Sequence, residues 1–262
     1  MKLPKDILLT NSKSHKELQR LIDQAERVFN TWQPSWSDFI SPKIKEEVFT
    51  KFSKLNYVSW FADGGFKGAE RERLYCSRTE TEIFIDNQIA PISGLLIEGN
   101  FLFDRAKPED FRNAIIKKGI NSYDIGDIWT IGDRGAEALC TPEASQTLHK
   151  VSSQIRETDI EFISVEKGEL HTPCRRQSRH MKCFEASTRI DAISSAGFGI
   201  SRSKTVKLIK EGFLRLNWDV IKQASRELRI GDKISLESKG TIVVVSIQKT
   251  KRDRWLIELI RN

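Results

Sequence analysis

The sequence predicts an α+β protein: a helical N-terminal segment (1–60), an α+β domain (61–166), a basic linker (167–182) and a second, basic module (183–262). Three observations predict it. Apolar residues recur at helical spacing in some stretches and cluster or alternate in short runs in others, with Gly and Pro between them. Charge changes sign along the chain: residues 1–166 carry 22 Lys/Arg against 26 Asp/Glu, and residues 167–262 carry 21 against 10. Residues 167–182 contain Gly168, Pro173 and the run Arg175-Arg176-Gln177-Ser178-Arg179-His180 without apolar periodicity, so they read as the join. At 262 residues each part has enough chain to bury a core of its own.

The elements follow in order. Leu18, Leu21, Ile22, Ala25, Val28 and Phe29 make an amphipathic helix over 14–31, with Pro34 shortly beyond it. Ser41 and Pro42 open a second helix as N-cap and first residue, with Ile44, Val48, Phe49, Phe52 and Leu55 as its buried stripe. Strands are predicted over 57–63, 73–77, 92–98, 127–131, 136–140 and 160–165. Pro108 starts a helix that Gly119 stops, and Pro142 starts another running to Lys150. Gly132-Asp133-Arg134-Gly135 lies between two apolar runs and is a hairpin turn. Strands and helices mixed this way suggest an α+β layer.

Several function classes are disfavoured. No apolar run approaches the roughly 18 residues of a membrane-spanning helix, and the start Met1-Lys2-Leu3-Pro4-Lys5-Asp6 has no signal-peptide character. A cytoplasmic protein without membrane insertion is the expectation. Four scattered cysteines do not make a disulfide scaffold. A basic module beside a mildly acidic one is the charge footprint of a surface facing phosphates.

That module begins with two short helices, over 187–195 and 201–211, followed by an alternating strand over 213–217. The loop before the second helix and its first turn offer free backbone N–H groups and the positive end of the helix dipole. Ser201, Arg202, Ser203 and Lys204 stand there, Arg189 can close the other side, and Lys207 and Lys210 continue along the polar face above inward Val206, Leu208 and Ile209. This is a phosphate-binding corner, suited to the backbone and 2′-hydroxyls of structured RNA. Asn217 follows as a turn former or a further RNA contact, and Asp191 reads as a helix-start or Arg-pairing residue.

Arg189-Ile190-Asp191, Ser201-Arg202-Ser203-Lys204, Leu208-Ile209-Lys210-Glu211-Gly212, Leu216-Asn217 and Gly231-Asp232-Lys233-Ile234 resemble, in order and spacing, the signature of S4 RNA-binding domains. The resemblance implies an αL-type fold, two helices on a small sheet, with an RNA face of Arg189, Ser201, Arg202, Ser203, Lys204, Lys207, Lys210 and Asn217. Thr205 stands where the family commonly has Ala. Ile22-Asp23-Gln24-Ala25, Phe39-Ile40-Ser41-Pro42, Phe111-Arg112-Asn113-Ala114-Ile115 and Asp124-Ile125-Gly126-Asp127-Ile128 resemble YlmH-like proteins, which include the group labelled photosystem II S4 domain protein. In this chain Asn121-Ser122-Tyr123-Asp124 replaces a basic loop of that family. The resemblance implies a partly RRM-like N-terminal RNA-binding domain and binding to rRNA or tRNA on the large ribosomal subunit during rescue of stalled translation; a monomer without a cofactor is the accompanying expectation.

Three rivals stand beside this reading. A pseudouridine synthase would need a catalytic Asp in a separate domain, and Arg189–Asp191 is the one R-x-D run of that type. His171, Cys174, His180 and Cys183 form an H-x-x-C…H-x-x-C array that could ligate zinc. A factor acting through protein contacts alone, for instance in photosystem biogenesis, would use the acidic N-terminal region.

Overall fold

The heptad-like apolar stripe from Leu18 to Val28 does form a helix, but not in a purely helical segment. In the computed structural model, which describes residues 3–10, 12, 14–52, 55–80, 89–173, 178–236 and 239–262, the chain divides into two units, Met1–Pro173 and Cys174–Asn262. The first opens with α1 (Lys5–Leu9) and α2 (His15–Thr31), then β1 (Ser35–Ile40), α3 (Pro42–Lys51), β2 (Val58–Asp63) and β3 (Glu72–Arg78). The three strands form an antiparallel sheet in the order β1-β3-β2. One core, with Leu18, Leu21, Ile22, Val28, Ile44, Val48, Phe52, Leu74 and Cys76, joins all three helices to that sheet. The predicted N-terminal boundary at residue 60 is therefore wrong: β2 spans it, and α2 packs on β3 and β1 as well as on the neighbouring helices. β1 went unread because Trp36, Ser37 and Asp38 break the apolar alternation.

The second half of this unit comprises β4 (Ser93–Gly99), α4 (Pro108–Lys117), β5 (Ile125–Thr130), β6 (Gly135–Cys140), α5 (Pro142–Leu148), β7 (Val151–Ile155) and β8 (Thr158–Val165). Its antiparallel sheet runs β5-β6-β4-β8-β7, the split βαββαβ order with β7 added at an edge. Phe111, Ala114, Ile115, Ala144 and Leu148 seat both helices on one face. Gly135, at φ 124°, makes the β5–β6 turn possible, since a Cβ there would sit 1.9 Å from the Ile97 carbonyl oxygen. The opposite sheet face, where RRM domains stack bases, is occupied. Leu96, Trp129, Leu139 and Val165 pack there against Trp36, Phe39, Phe66 and Leu170. The halves are further latched by Asp127, which accepts from the backbone N–H groups of Glu70 (2.6 Å) and Arg71 (2.9 Å). The Arg71 side chain donates in turn to the carbonyls of Ile125, Phe39 and Ser122.

The second unit contains β9 (Arg179–Glu185), α6 (Ile190–Phe198), α7 (Arg202–Glu211), β10 (Leu214–Leu216), β11 (Asp219–Val220), β12 (Lys233–Leu236), β13 (Gly240–Lys249) and β14 (Trp255–Arg261). Six antiparallel strands run β11-β10-β12-β13-β14-β9. Ile190, Ile193, Phe198 and Ile209 press the helices onto Leu214, Ile234, Ile242, Ile257 and Leu259. Gly197 lets α6 approach: a Cβ there would meet Ile242 Cδ1 at 2.4 Å.

The predicted linker is corrected at both ends. Leu170 is buried in the first unit, and residues 179–185 are a strand. Met181 and Cys183 pack inward while His180, Lys182 and Phe184 are exposed. The alternation was hidden because its inward residues are only weakly apolar and follow a basic run.

Candidate nucleic-acid interface

Arg189 and Asp191 stand at the start of α6 and Arg202 at the start of α7, and across the short connection through Gly199 the Arg202 side chain reaches back to Asp191. Gly199 is the left-handed C-cap of α6 (φ 63°). Ser201 then caps α7, its Oγ accepting from the Lys204 N–H at 3.3 Å. Ser203 Oγ lies 3.2 Å from Ser201 Oγ.

Asp191 is the centre of the corner. Its side chain is 3% exposed, whereas those of Arg189 and Arg202 are 40% and 52% exposed. Arg189 donates to it through Nε and Nη2, both at 3.0 Å. Arg202 donates through Nε at 3.2 Å and Nη2 at 3.4 Å. Burial pushes the carboxyl's pKa up, but the hydrogen bonds and charges of both arginines outweigh it and hold the group below the usual value. One buried anion thus fixes two guanidiniums side by side with their outer edges in solvent. Fixed, half-exposed guanidiniums present their remaining N–H groups to phosphate in the bidentate geometry it favours.

Along α7 the buried residues are Thr205 and Ile209, with Leu208 partly packed. Val206, expected inward, is only half-buried. Thr205 occupies the Ala-like position fully buried, its hydroxyl donating to the Ser201 carbonyl at 3.1 Å. Ser203, Lys207 and Lys210 fall on the opposite, exposed face, where Lys207 lies 3.9 Å from Glu211. Lys204 is exposed at the helix start.

Asn217 resolves differently from the RNA-facing expectation. It sits at φ 49°, its Oδ1 accepts from the Lys233 N–H at 2.9 Å, and its Nδ2 donates to Asp232 at 2.8 Å. Both ends of its amide are committed to the turn, so it shapes the corner's edge. The fold brings Arg189, Ser201, Arg202, Ser203 and Lys204 together around the starts of α6 and α7, while Lys207 and Lys210 continue along the exposed face of α7 to its last turn. The residue that organises them, Asp191, carried a legible signal in its R-x-D spacing to Arg189, but its second arginine is eleven positions away.

The His180–Cys183 half of the zinc array does not converge. His180 and Cys183 leave β9 on opposite faces, so they cannot share a tetrahedral site. Burial raises the Cys183 thiol to about 11, the protonated form at neutral pH. His171 binds Glu137 instead, Nδ1 to Oε1 at 3.0 Å and backbone N–H to Oε2 at 2.8 Å. Cys174 lies outside the described residues. Among those described, no group of three His, Cys, Asp or Glu is placed to hold a metal ion, and no helix is long and apolar enough to cross a membrane.

Two family models match, one within each unit. Residues 13–81 match the model of the YlmH N-terminal domain, and residues 188–234 match the S4 domain. The chain joins a YlmH-type N-terminal domain to an S4 domain. The S4 match covers α6, α7 and the strands through Ile234, which include every residue of the corner. The YlmH match ends at residue 81, just beyond β3. A similar curated protein is the ribosome-associated protein quality control protein P2 of Bacillus subtilis, 21% identical over 258 residues, covering 94% of this chain and 96% of that one. Among solved structures, the cell division protein ylmH from Streptococcus pneumoniae aligns with a TM-score of 0.46 and 15% identity, covering 60% of this chain and 93% of that chain.

Proposed function

We propose that this protein binds structured RNA, rRNA or tRNA, on the large ribosomal subunit in the cytoplasm, as a monomer and without chemical catalysis, in the quality control of stalled translation. The observation that carries the reading is the Arg189–Asp191–Arg202 cluster at the start of α7. It offers two oriented guanidiniums, a helix N-terminus and the ammonium of Lys204, all of which favour phosphate. The name of the Bacillus relative, which aligns over nearly the whole of both chains, supports the ribosomal setting. The non-catalytic part is supported by Asp191 itself: buried and bonded to both arginines, it is not available as a nucleophile or base.

The test is RNA binding by Arg202→Ala with Lys204→Ala, measured across a salt series, with ribosome co-sedimentation and in-cell RNA crosslinking alongside. Losing two phosphate contacts should reduce the slope of log affinity against log salt by about 1.5 to 2. Ribosome binding that survives this variant unchanged would point to protein contacts and overturn the reading. Pseudouridine formation dependent on Asp191 would overturn its non-catalytic part.

A further inference from the structure

The β13–β14 hairpin lies beyond the S4 match and is not used by the corner. Its tip reads Lys249-Thr250-Lys251-Arg252-Asp253-Arg254, four basic residues against one acidic. We infer that this tip is a second RNA-backbone contact, placed to grip phosphates on a stretch of backbone adjoining the one held by the Arg189–Arg202 corner. The inference rests on the RNA-binding reading above and adds a site to it.

Three features carry it. The tip is rigid: the Thr250 N–H donates to the Arg254 carbonyl at 2.8 Å, the Arg254 N–H donates back to Thr250 Oγ1 at 3.2 Å, and the Asp253 N–H donates to the Thr250 carbonyl at 3.1 Å. Its charge is available. Asp253 pairs with Lys249 at 2.7 Å, while Lys251, Arg252 and Arg254 are exposed and face no acidic partner among the described residues. A rigid turn holding unpaired cations loses little conformational freedom when it meets a polyanion.

Its position is the third feature. Trp255, the residue after the tip, pairs with Glu185 at the end of β9. From Glu185 only four residues lead to Arg189, a reach of at most about 14 Å. On the other flank, the Val244 N–H donates to the Asp232 carbonyl, and Asp232 is bonded by Asn217. β13 continues five residues from Val244 to Lys249, roughly 16 Å at ~3.3 Å per residue. Tip and corner therefore lie at the same end of the sheet, separated by a distance that spans neighbouring phosphates or crosses between strands of a folded RNA.

The experiment compares the full-length protein with Lys251→Ala/Arg252→Ala/Arg254→Ala, with the corner variant Arg202→Ala/Lys204→Ala, and with the charge-preserving Lys251→Arg/Arg252→Lys/Arg254→Lys. The probe is a fluorescent 16-base-pair RNA duplex, titrated between 50 and 300 mM KCl. With two of the three charges at phosphates, the alanine variant should reduce the salt slope by about 1.8 and bind about 60-fold more weakly at 0.1 M salt. The charge-preserving variant should keep the wild-type slope, which separates charge from any effect on folding. A corner variant that weakens binding beside a tip variant that does not overturns the inference and leaves the proposed function standing. If neither variant weakens binding, both fall. Weaker binding by the alanine tip variant at an unchanged slope also overturns the inference, because the lost contact is then not with phosphate.

Discussion

Asp191→Asn separates an oriented arginine pair from simple positive charge. The substitution raises the net charge of the RNA-facing module by one, so long-range electrostatics alone predicts tighter RNA binding. The structure predicts the opposite. Asp191 holds Arg189 through two hydrogen bonds at 3.0 Å and Arg202 through two at 3.2 and 3.4 Å. An amide offers one acceptor oxygen and sets an N–H₂ group against a guanidinium. Each long side chain set free must be ordered again on binding, at about 0.5–1.5 kcal/mol, so two arginines together cost about 1–3 kcal/mol. Affinity for an RNA duplex should fall about 5- to 150-fold while the salt slope stays near the wild-type value, because both charges remain. Fluorescence anisotropy across a salt series measures both quantities, and hydrogen exchange over residues 190–211 checks that the helices persist. Unchanged or tighter binding with intact helices would refute the positioning role of Asp191.

Three further outcomes follow from the same structure. Because the folded-state pKa of Asp191 is lowered, the stability it contributes is present above its unfolded value of about 3.9 and is lost as pH falls through the folded value. Amide protection of α6 and α7 should therefore show no loss from this group between pH 7 and about 5, then fall below about pH 4; loss from this group already near pH 6 would contradict the cluster. Gly135→Ala should destabilise the first unit by more than about 1 kcal/mol in a urea titration, since the new methyl meets the Ile97 carbonyl at a φ of 124°. Burial raises the Cys76 and Cys140 thiols to about 12, so iodoacetamide at pH 8 should modify them in urea and spare them in the native protein, as peptide mapping would show.

Much of the candidate site was legible without coordinates because its chemistry is local. Ser201 caps its own helix, Gly199 and Gly212 end theirs, and the lysines of α7 occupy successive turns of one helix, so a few residues of chain settle each feature. Asn217 was read as either turn or contact; the choice depended on Asp232 and Lys233, fifteen and sixteen residues away. Residues 179–182 read as linker, and the strand Arg179–Glu185 stays hidden, because its inward residues, Met181 and Cys183, gain an apolar setting only once β14 lies beside them.

By itself the sequence determined the helices from α2 onward and several of the turns, the basic character of the last third and the residues that gather at the start of α7. All of these follow from spacing, capping and charge within short windows of chain. Tertiary structure alone decided the rest. Pairing of β1 and β2 with β3 made a sheet domain of what reads as a helical segment. The apolar residues of that domain covered the sheet face an RRM would leave open. The return of the chain through Gly199 brought Arg202 to the carboxylate of Asp191. Each depends on groups that meet only when distant chain segments pack, where loss of water and the partner's charge set what a side chain can do.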